Sequence, residues 1–351
     1  MGENVRRKRF ADVDLQDPFF DSLKDDYAEF ESWFGKKSED AEEAYVLYAG
    51  AEIKGFLYVK AEDGDVADVQ PPLEAARRIK IGTFKVDAHG TRLGERLLKK
   101  AIDHAVVEKA DELYVTIFPR HVGLLALLEE FGFVRTGVKR TGNGEEQVLV
   151  KRLGAITGEP RKDFPMIYSR GRRKFLLSIY PEWHTRLFAD SILKNETYDI
   201  LQDVSHTNSI EKTYVCFMDL SPLSPGDIVV IYRTSDQRGP AWYRSVVTSV
   251  CTVEEVRHKS SFSDSEDYVK YTEPFSVFDE TDLLKWWNRG GRLYVVRMLY
   301  SAAFSKRLIR KDLVERFGLD SGAYWGFLEL SDEQFAAILG AGGIDARLVV
   351  N

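Results

Sequence analysis

The chain is predicted to be an α+β protein in two parts: a mixed sheet flanked by helices, followed by a small β-barrel with added helices. Three observations predict this. Residues 1–153 alternate between strand-like and helix-like apolar periodicities. The segment GAITGEPRKDFP then concentrates Gly, Pro and charge between two apolar-periodic regions, as a boundary does. Beyond it the pattern changes to short β-rich runs with few helices, a composition that suits a small barrel. With 351 residues, each part is long enough for its own core. We therefore expect domains at 1–153 and 166–351, joined by a linker at 154–165.

The elements follow in order. VRRKRF reads as a first strand. Phe20, Leu23, Tyr27, Phe30 and Phe34 recur at helical spacing, which predicts helix from about Asp17 to Lys36. AYVLYAGAEIKGFLYVKAED alternates about a Gly-containing turn, as a hairpin does. RRIKIGTFKVD is a strand, ERLLKKAIDHAVVEK a basic amphipathic helix, and DELYVTIF a strand stopped by Pro119. The apolar helix ending in LLEEFGF turns Leu124, Leu125, Leu127 and Leu128 to the core, and FVRTGVKRTGNGEEQVLVKRL closes as a hairpin. In the second part, KFLLSIYPEWHTRLFADSIL is a strand then a helix. TYVCFM, the apolar end of SPLSPGDIVVIYRTSD, WYRSVVTSVCTVEEV and GGRLYVVRMLY are strands.

Composition removes several function classes. The net charge of −7 argues against a chain coated in nucleic acid. That charge is uneven: the first seventy or so residues are acidic, whereas Lys285 to Arg316 is opposed only by Asp312 and Glu315. No apolar run approaches the ~20 residues of a membrane helix, and MGENVRRKRFADVD lacks the apolar core of a signal peptide, so a cytoplasmic location is expected. Cys216 and Cys251 fall in apolar strands and read as core thiols, and the six histidines show no metal-ligand spacing. No metal is implied.

The most informative stretch is Arg77 to Phe133. A strand runs into AHGTRLG and a helix opens at once, so unpaired N–H groups at the helix start face the strand's end and form an anion cradle. Gly90 and Gly94 allow close approach of a pyrophosphate, while Arg92 and Arg96 add positive charge. These residues, together with DELYVTIF, Pro119, LLEEFGF and the order of elements, resemble the GNAT superfamily of acetyl-CoA-dependent N-acetyltransferases over residues 4–153. The family's turn, Q/R-x-x-G-x-G/A, aligns with HGTRLG. His89 stands where Arg or Gln is usual, Arg92 replaces the first glycine, and Gly94 fits. Leu128 falls where the family carries a Tyr that protonates the leaving thiolate.

The resemblance implies that two strands splay and the pantetheine of acetyl-CoA inserts between them. The backbone of Gly82, Thr83, Phe84, Lys85 and Val86 would pair with it, and His89, Gly90, Thr91, Arg92, Leu93, Gly94 and Arg96 would hold its pyrophosphate. His121 stands where the family has an Asn that touches the cofactor. For the general base Asp87, His89 and His121 are candidates at the strand ends, an imidazole suiting the role near neutral pH. Tyr114 is a candidate acid, and solvent is an alternative for either transfer.

FLLSIYPEW, PGDIVVIYR and YRSVVTSVCTVEEV resemble the PUA-like superfamily, in particular its ASCH and EVE branches, whose members commonly bind RNA or modified bases. The ASCH signature G-x-K-x-x-E-x-R is absent around ADSILKNETYD, so no hydrolase activity is carried over. Trp183, His184, His206, Asn208, Arg233, Trp242 and Arg244 are candidate nucleic-acid contacts, since aromatic faces beside Arg serve base stacking. Tryptophans such as Trp242 pack in cores as readily. Together the halves imply an acetyl-CoA-dependent N-acetyltransferase acting on an amine, RNA-linked or on a modified nucleotide. The rivals are a catalytically silent nucleic-acid-binding or regulatory protein, and a protein or small-amine acetyltransferase.

Overall fold

The computed structural model describes residues 3–87, 93–188 and 209–351. His89, Gly90, Thr91, Arg92, His206 and Asn208 lie outside the described residues. The described chain forms two compact units that divide between Asp163 and Phe164.

The first unit runs β1 (Glu3–Arg9), α1 (Asp21–Asp26), α2 (Phe30–Glu39), β2 (Glu43–Ala49), β3 (Glu52–Val66), β4 (Leu73–Val86), α3 (Leu93–Val107), β5 (Glu112–Ile117), α4 (Val122–Glu130), β6 (Val134–Thr141), β7 (Gly144–Arg152) and α5 (Pro160–Asp163). Its seven strands are ordered β1-β2-β3-β4-β5-β7-β6. All neighbours are antiparallel except β4 and β5.

The helix expected from Asp17 to Lys36 is interrupted. Its aromatic residues meet in one core where Phe10, Phe19, Phe20, Phe30, Phe34 and Phe56 pack mostly edge to face. Tyr27 leaves helical geometry at φ −133°, ψ 105°, and its ring lies 5.2 Å from that of Phe118. Tertiary packing of one ring thus overrides helical periodicity. The acidic run after Lys60 continues β3 to Val66, and Gln70 bonds back to Val138 of β6 through N–H···O contacts of 2.7 and 2.9 Å. A Cβ at Gly137 would sit 2.6 Å from the Gln70 carbonyl, so this close approach requires glycine.

The segment after β7 is fastened to the first unit. The buried Lys151 ammonium donates to the carbonyls of Phe131 and Lys162, both at 2.8 Å, and burial lowers its pKa to about 8. Asp163 accepts from the Thr157 and Gly158 N–H groups, and Arg161 pairs with Glu130.

The second unit contains β8 (Ile167–Tyr168), β9 (Lys174–Ile179), α6 (Pro181–Leu187), β10 (Glu211–Cys216), β11 (Ile228–Arg233), α7 (Ala241–Arg244), β12 (Val246–His258), α8 (Ser265–Thr272), α9 (Glu280–Asn288), β13 (Tyr294–Ile309), α10 (Arg310–Glu315), β14 (Phe327–Leu330), α11 (Asp332–Gly342) and β15 (Val349–Val350). The main sheet is ordered β10-β13-β12-β11-β9-β14, with β9 and β11 parallel, and β15 pairs β8. Three register shifts between β12 and β13 mark bulges that bend these long strands. Alternate residues of β9 and β11 enter two cores: Phe175, Leu177, Val229 and Ile231 one, Leu176, Ile228 and Val230 the other. Such two-sided burial explains the continuous apolar runs of both strands. WYR, expected as strand, is one helical turn begun by Pro240, and β12 starts only at Val246. Both thiols are buried, and burial pushes Cys216 up to about 12.

Candidate active site

β4 and β5 pair in parallel only from Arg78–Glu112 to Ile81–Val115. β4 nevertheless continues to Val86 and β5 to Ile117. The separation coincides with a break in the β3–β4 ladder, where Val59 faces Ile81 but Tyr58 faces Thr83, leaving Gly82 as the extra residue. A bulge bends the strand that carries it, so β4 turns away from β5 from Gly82 onward. A Cβ at Gly82 would lie 2.8 Å from the Tyr58 ring, which explains why the bulge holds a glycine. From Thr83 to Val86 the strand pairs with β3 on one side, and among the described residues no strand pairs with it on the side of β5. With Gly82 this edge is five residues long, about 16 Å at the usual strand rise.

Side chains along the edge are committed elsewhere. Lys85 donates to the Phe19 carbonyl and, at 2.7 Å, to Ser22, and its ammonium lies 4.7 Å from the Phe19 ring centre. Burial lowers its pKa. Thr83 is buried, Phe84 and Val86 are half-buried. Leu93 and Gly94 begin α3, and a Cβ on Gly94 would meet Leu127 of α4 at 2.9 Å. Arg96, expected beside a phosphate, is fully buried on α3.

At the far ends of these strands the chain gathers a polar cluster. The His121 Nε2 donates to Asp26 Oδ2 at 3.0 Å, and Arg120 donates to Asp26 Oδ1. Since a carboxylate only accepts, this bond places the neutral imidazole's lone pair on Nδ1. The Tyr27 hydroxyl donates to Glu146 at 2.7 Å; burial, then Glu146, raises its pKa well above the ordinary range. Asn143, in the β6–β7 turn, donates to both oxygens of Glu29 at 3.0 and 2.8 Å. The connection between α1 and α2 is thereby held to the turn after β5 and to the β6–β7 hairpin.

Of the sequence-predicted residues, His121 belongs to this cluster. Asp87 is exposed at the end of β4, its N–H bonded to the Lys54 carbonyl at 2.9 Å. Tyr114 is elsewhere: it is buried in the paired part of the sheet, and its hydroxyl donates to Glu62 at 2.5 Å. Burial and that carboxylate raise its pKa far above the ordinary range, which leaves it a poor proton donor. Leu125 and Leu128 are buried and Leu124 and Leu127 half-buried, as a core face should be. Sequence reasoning missed Asp26, Tyr27 and Glu146. Asp26 and His121 are 95 positions apart, and no local spacing signals their meeting.

Of the candidate nucleic-acid residues, those described in the second unit are largely engaged within it. His184 is buried, its Nε2 is 2.7 Å from Thr248 Oγ1, and burial followed by Arg233 and Arg307 lowers its pKa to about 3. Arg233 is buried, and Trp183 packs against Phe278 and Trp286 at 5.0 and 5.9 Å. Arg244 is engaged with Asp236 through contacts of 2.6 and 2.5 Å, and Trp242 is half-buried on the same helical turn. Among the described residues no group of three or more His, Cys, Asp or Glu is placed to hold a metal, and no helix is long and apolar enough to cross a membrane.

No family model matches the chain, and no curated protein matches it. Among solved structures it is similar to ASCH from Zymomonas mobilis, with 11% identity over 48% of this chain and 94% of that one, at a TM-score of 0.32. It is also similar to a GNAT family acetyltransferase from Elizabethkingia anophelis with acetyl-CoA bound, with 16% identity over 43% of this chain and 99% of that one, at a TM-score of 0.30. An IAA acetyltransferase from Bacillus cereus is similar at 15% identity over 43% of this chain and 99% of that one, at a TM-score of 0.32.

Proposed function

We propose that the first unit is an acetyl-CoA-dependent N-acetyltransferase and that the second unit binds RNA, so that the acceptor is an amine of an RNA-linked substrate or modified nucleotide. The observation that carries the enzymatic part is the parting of β4 from β5 at the Gly82 bulge. Among the described residues it leaves a backbone edge with no strand partner in the middle of a sheet, where an extended amide-bearing arm would complete the ladder. Thr83 to Val86 pair with the arm of acetyl-CoA, and residues 89–94 take its pyrophosphate at the start of α3.

In the reaction the acceptor nitrogen attacks the thioester carbonyl, a tetrahedral oxyanion forms, and its collapse breaks the carbon–sulfur bond. His121 Nδ1 takes the proton that the nitrogen loses, while Asp26 holds the ring and steadies its charge. The thiolate draws its proton from solvent, since Leu128 carries no hydroxyl and Tyr114 is committed to Glu62. Carboxylates Asp26, Glu29 and Glu146 on the same side favour a cationic acceptor.

Calorimetric titration of acetyl-CoA into the purified protein, beside Arg92→Ala, tests the cofactor site. Losing one charge-assisted phosphate contact weakens binding by about tenfold or more. Unchanged affinity in the variant would remove the proposed phosphate contact. No binding by the intact protein would leave a silent scaffold as the reading. Labelled acetyl groups recovered in protein rather than RNA would overturn the acceptor assignment.

A further inference from the structure

Arg6, Arg7, Lys8 and Arg9 follow one another on β1, within a stretch of the chain that is otherwise acidic. Among the described residues β1 pairs with β2 alone, so it forms one edge of the first sheet. Its register sets Arg6 and Lys8 beside Val46 and Ala44 on one face, and Arg7 and Arg9 beside Tyr45 and Glu43 on the other. A cavity of about 320 Å³ is lined by all four cations together with Asp12 and Glu43. Because it takes side chains from both faces, it lies along the outer edge of the strand.

Charge on an edge strand is ordinary, since it discourages pairing with other chains. What sets β1 apart is how little of its charge is neutralised, and the opposite edge of the same sheet is the comparison. On β6, Arg135 pairs with Glu129, Lys139 with Asp68 and Arg140 with Glu145, at 2.6, 2.6 and 2.8 Å. On β1, Arg7 pairs with Glu43 at 2.7 Å, whereas Arg6, Lys8 and Arg9 form no ion pair among the described residues. They stay unpaired in a chain that carries 56 acidic residues against 49 Lys and Arg. Arg6 and Arg9 are exposed and Lys8 is half-buried. The register also ties this place to the candidate site: Arg7 faces Tyr45, Tyr45 faces Leu57, and Leu57 faces Phe84 on β4. Three strand spacings span that row, about 14 Å, which about four nucleotides of a stacked strand cover.

We infer that Arg6, Lys8 and Arg9 hold backbone phosphates of an RNA-linked acceptor, with the amine to be acetylated a few nucleotides away beside β4. The inference rests on the proposed RNA-linked acceptor and adds a contact on the first unit. The described lining residues include no aromatic ring and no amide side chain, so the cavity offers positive charge without a means of reading a base. Three of its four cations are Arg, whose planar fork matches the oxygens of a phosphate. Binding here is therefore independent of base sequence. An acidic peptide laid along β1 would use the same charges, and the test separates the two.

The test is fluorescence anisotropy of the full chain with a labelled single-stranded RNA of about a dozen nucleotides, repeated over a range of salt. Each phosphate neutralised on a single strand contributes about 0.7 to the slope of log affinity against log salt. The triple variant Arg6→Gln, Lys8→Gln, Arg9→Gln should therefore lower that slope by about 2, and to the same extent for RNAs of different sequence. The single variant Arg9→Gln should lower it by about 0.7, which keeps the test decisive if the triple variant does not fold. Arg135→Gln, Lys139→Gln, Arg140→Gln removes the same charge from β6 and should leave the slope unchanged. An unchanged slope in the β1 variants, or an equal fall in the β1 and β6 triple variants, would overturn the phosphate site and leave the RNA reading intact. Poly-glutamate bound more tightly than RNA, and lost in the β1 variants, would reassign the edge to acidic peptides and overturn the inference. No RNA bound by wild type would overturn the RNA reading and the site with it.

Discussion

The main sheet of each unit contains one parallel strand pair, β4–β5 in the first and β9–β11 in the second, and the two pairs end differently. β9 and β11 remain in register for the whole of both strands, from Lys174–Ile228 to Ile179–Arg233. β4 and β5 part after four pairs, although β4 has 14 residues. The zipped pair has its backbone satisfied, so only the side chains beyond its ends can meet a ligand. The opened pair offers backbone itself. On the proposed function, recognition in the first unit would therefore be insensitive to most side-chain identities along the edge, whereas in the second each side chain at the strand ends would matter.

Variants can break or sharpen that contrast. The largest effect should come from the base proposed for the first unit: if His121 takes the acceptor's proton, His121→Ala should lower kcat by about 10²- to 10⁴-fold with acetyl-CoA affinity nearly unchanged. A parallel loss of affinity would return His121 to cofactor binding. Next, Gly82→Val drives a side chain into the Tyr58 ring and should straighten or displace the bulge, costing at least about tenfold in acetyl-CoA affinity. Calorimetry that shows normal affinity would mean that the opening of β4 does not depend on its bulge.

The second unit has a pH dependence from His184, buried behind the bulge of β12. Its folded pKa is depressed to about 3 from 6.5, so below pH 6.5 the unfolded chain binds a proton that the folded one does not. Stability is retained above pH 6.5 and lost as pH falls toward 3, by about 3 kcal/mol at pH 4. Five of the six tryptophans lie in this unit, so urea unfolding followed by tryptophan fluorescence at pH 7 and pH 4 reports it. His184→Gln should flatten the difference; an equal loss in the variant would assign the acid sensitivity to other groups. The smallest effect is expected for Phe84→Leu on the open edge, less than about twofold in acetyl-CoA affinity, since its contribution is backbone. A large loss there would contradict backbone recognition.

How much of this was legible in the sequence follows the same division. The order of elements in the first unit and the core face of α4 were readable, because each is set by local periodicity. The break at Tyr27 was not, since it results from contacts with Phe118 and Glu146 about a hundred positions away. Tyr114 was misplaced because strand alternation gives two faces without saying which of them is covered, and here Glu62 lies over it. In the second unit Trp183, His184 and Arg233 attracted attention for their chemistry, yet burial engages them.

The Lys151 staple has a consequence for anyone dissecting the chain. Two carbonyls hold its ammonium in the protein interior, and one of them, from Lys162, lies beyond the last strand of the first unit. A fragment ending at Leu153 would keep the buried cation and discard half of its solvation, whereas one ending at Asp163 keeps both. The shorter fragment should express poorly or precipitate while the longer one remains folded, so the ten residues that look like a tether are where the first unit is completed.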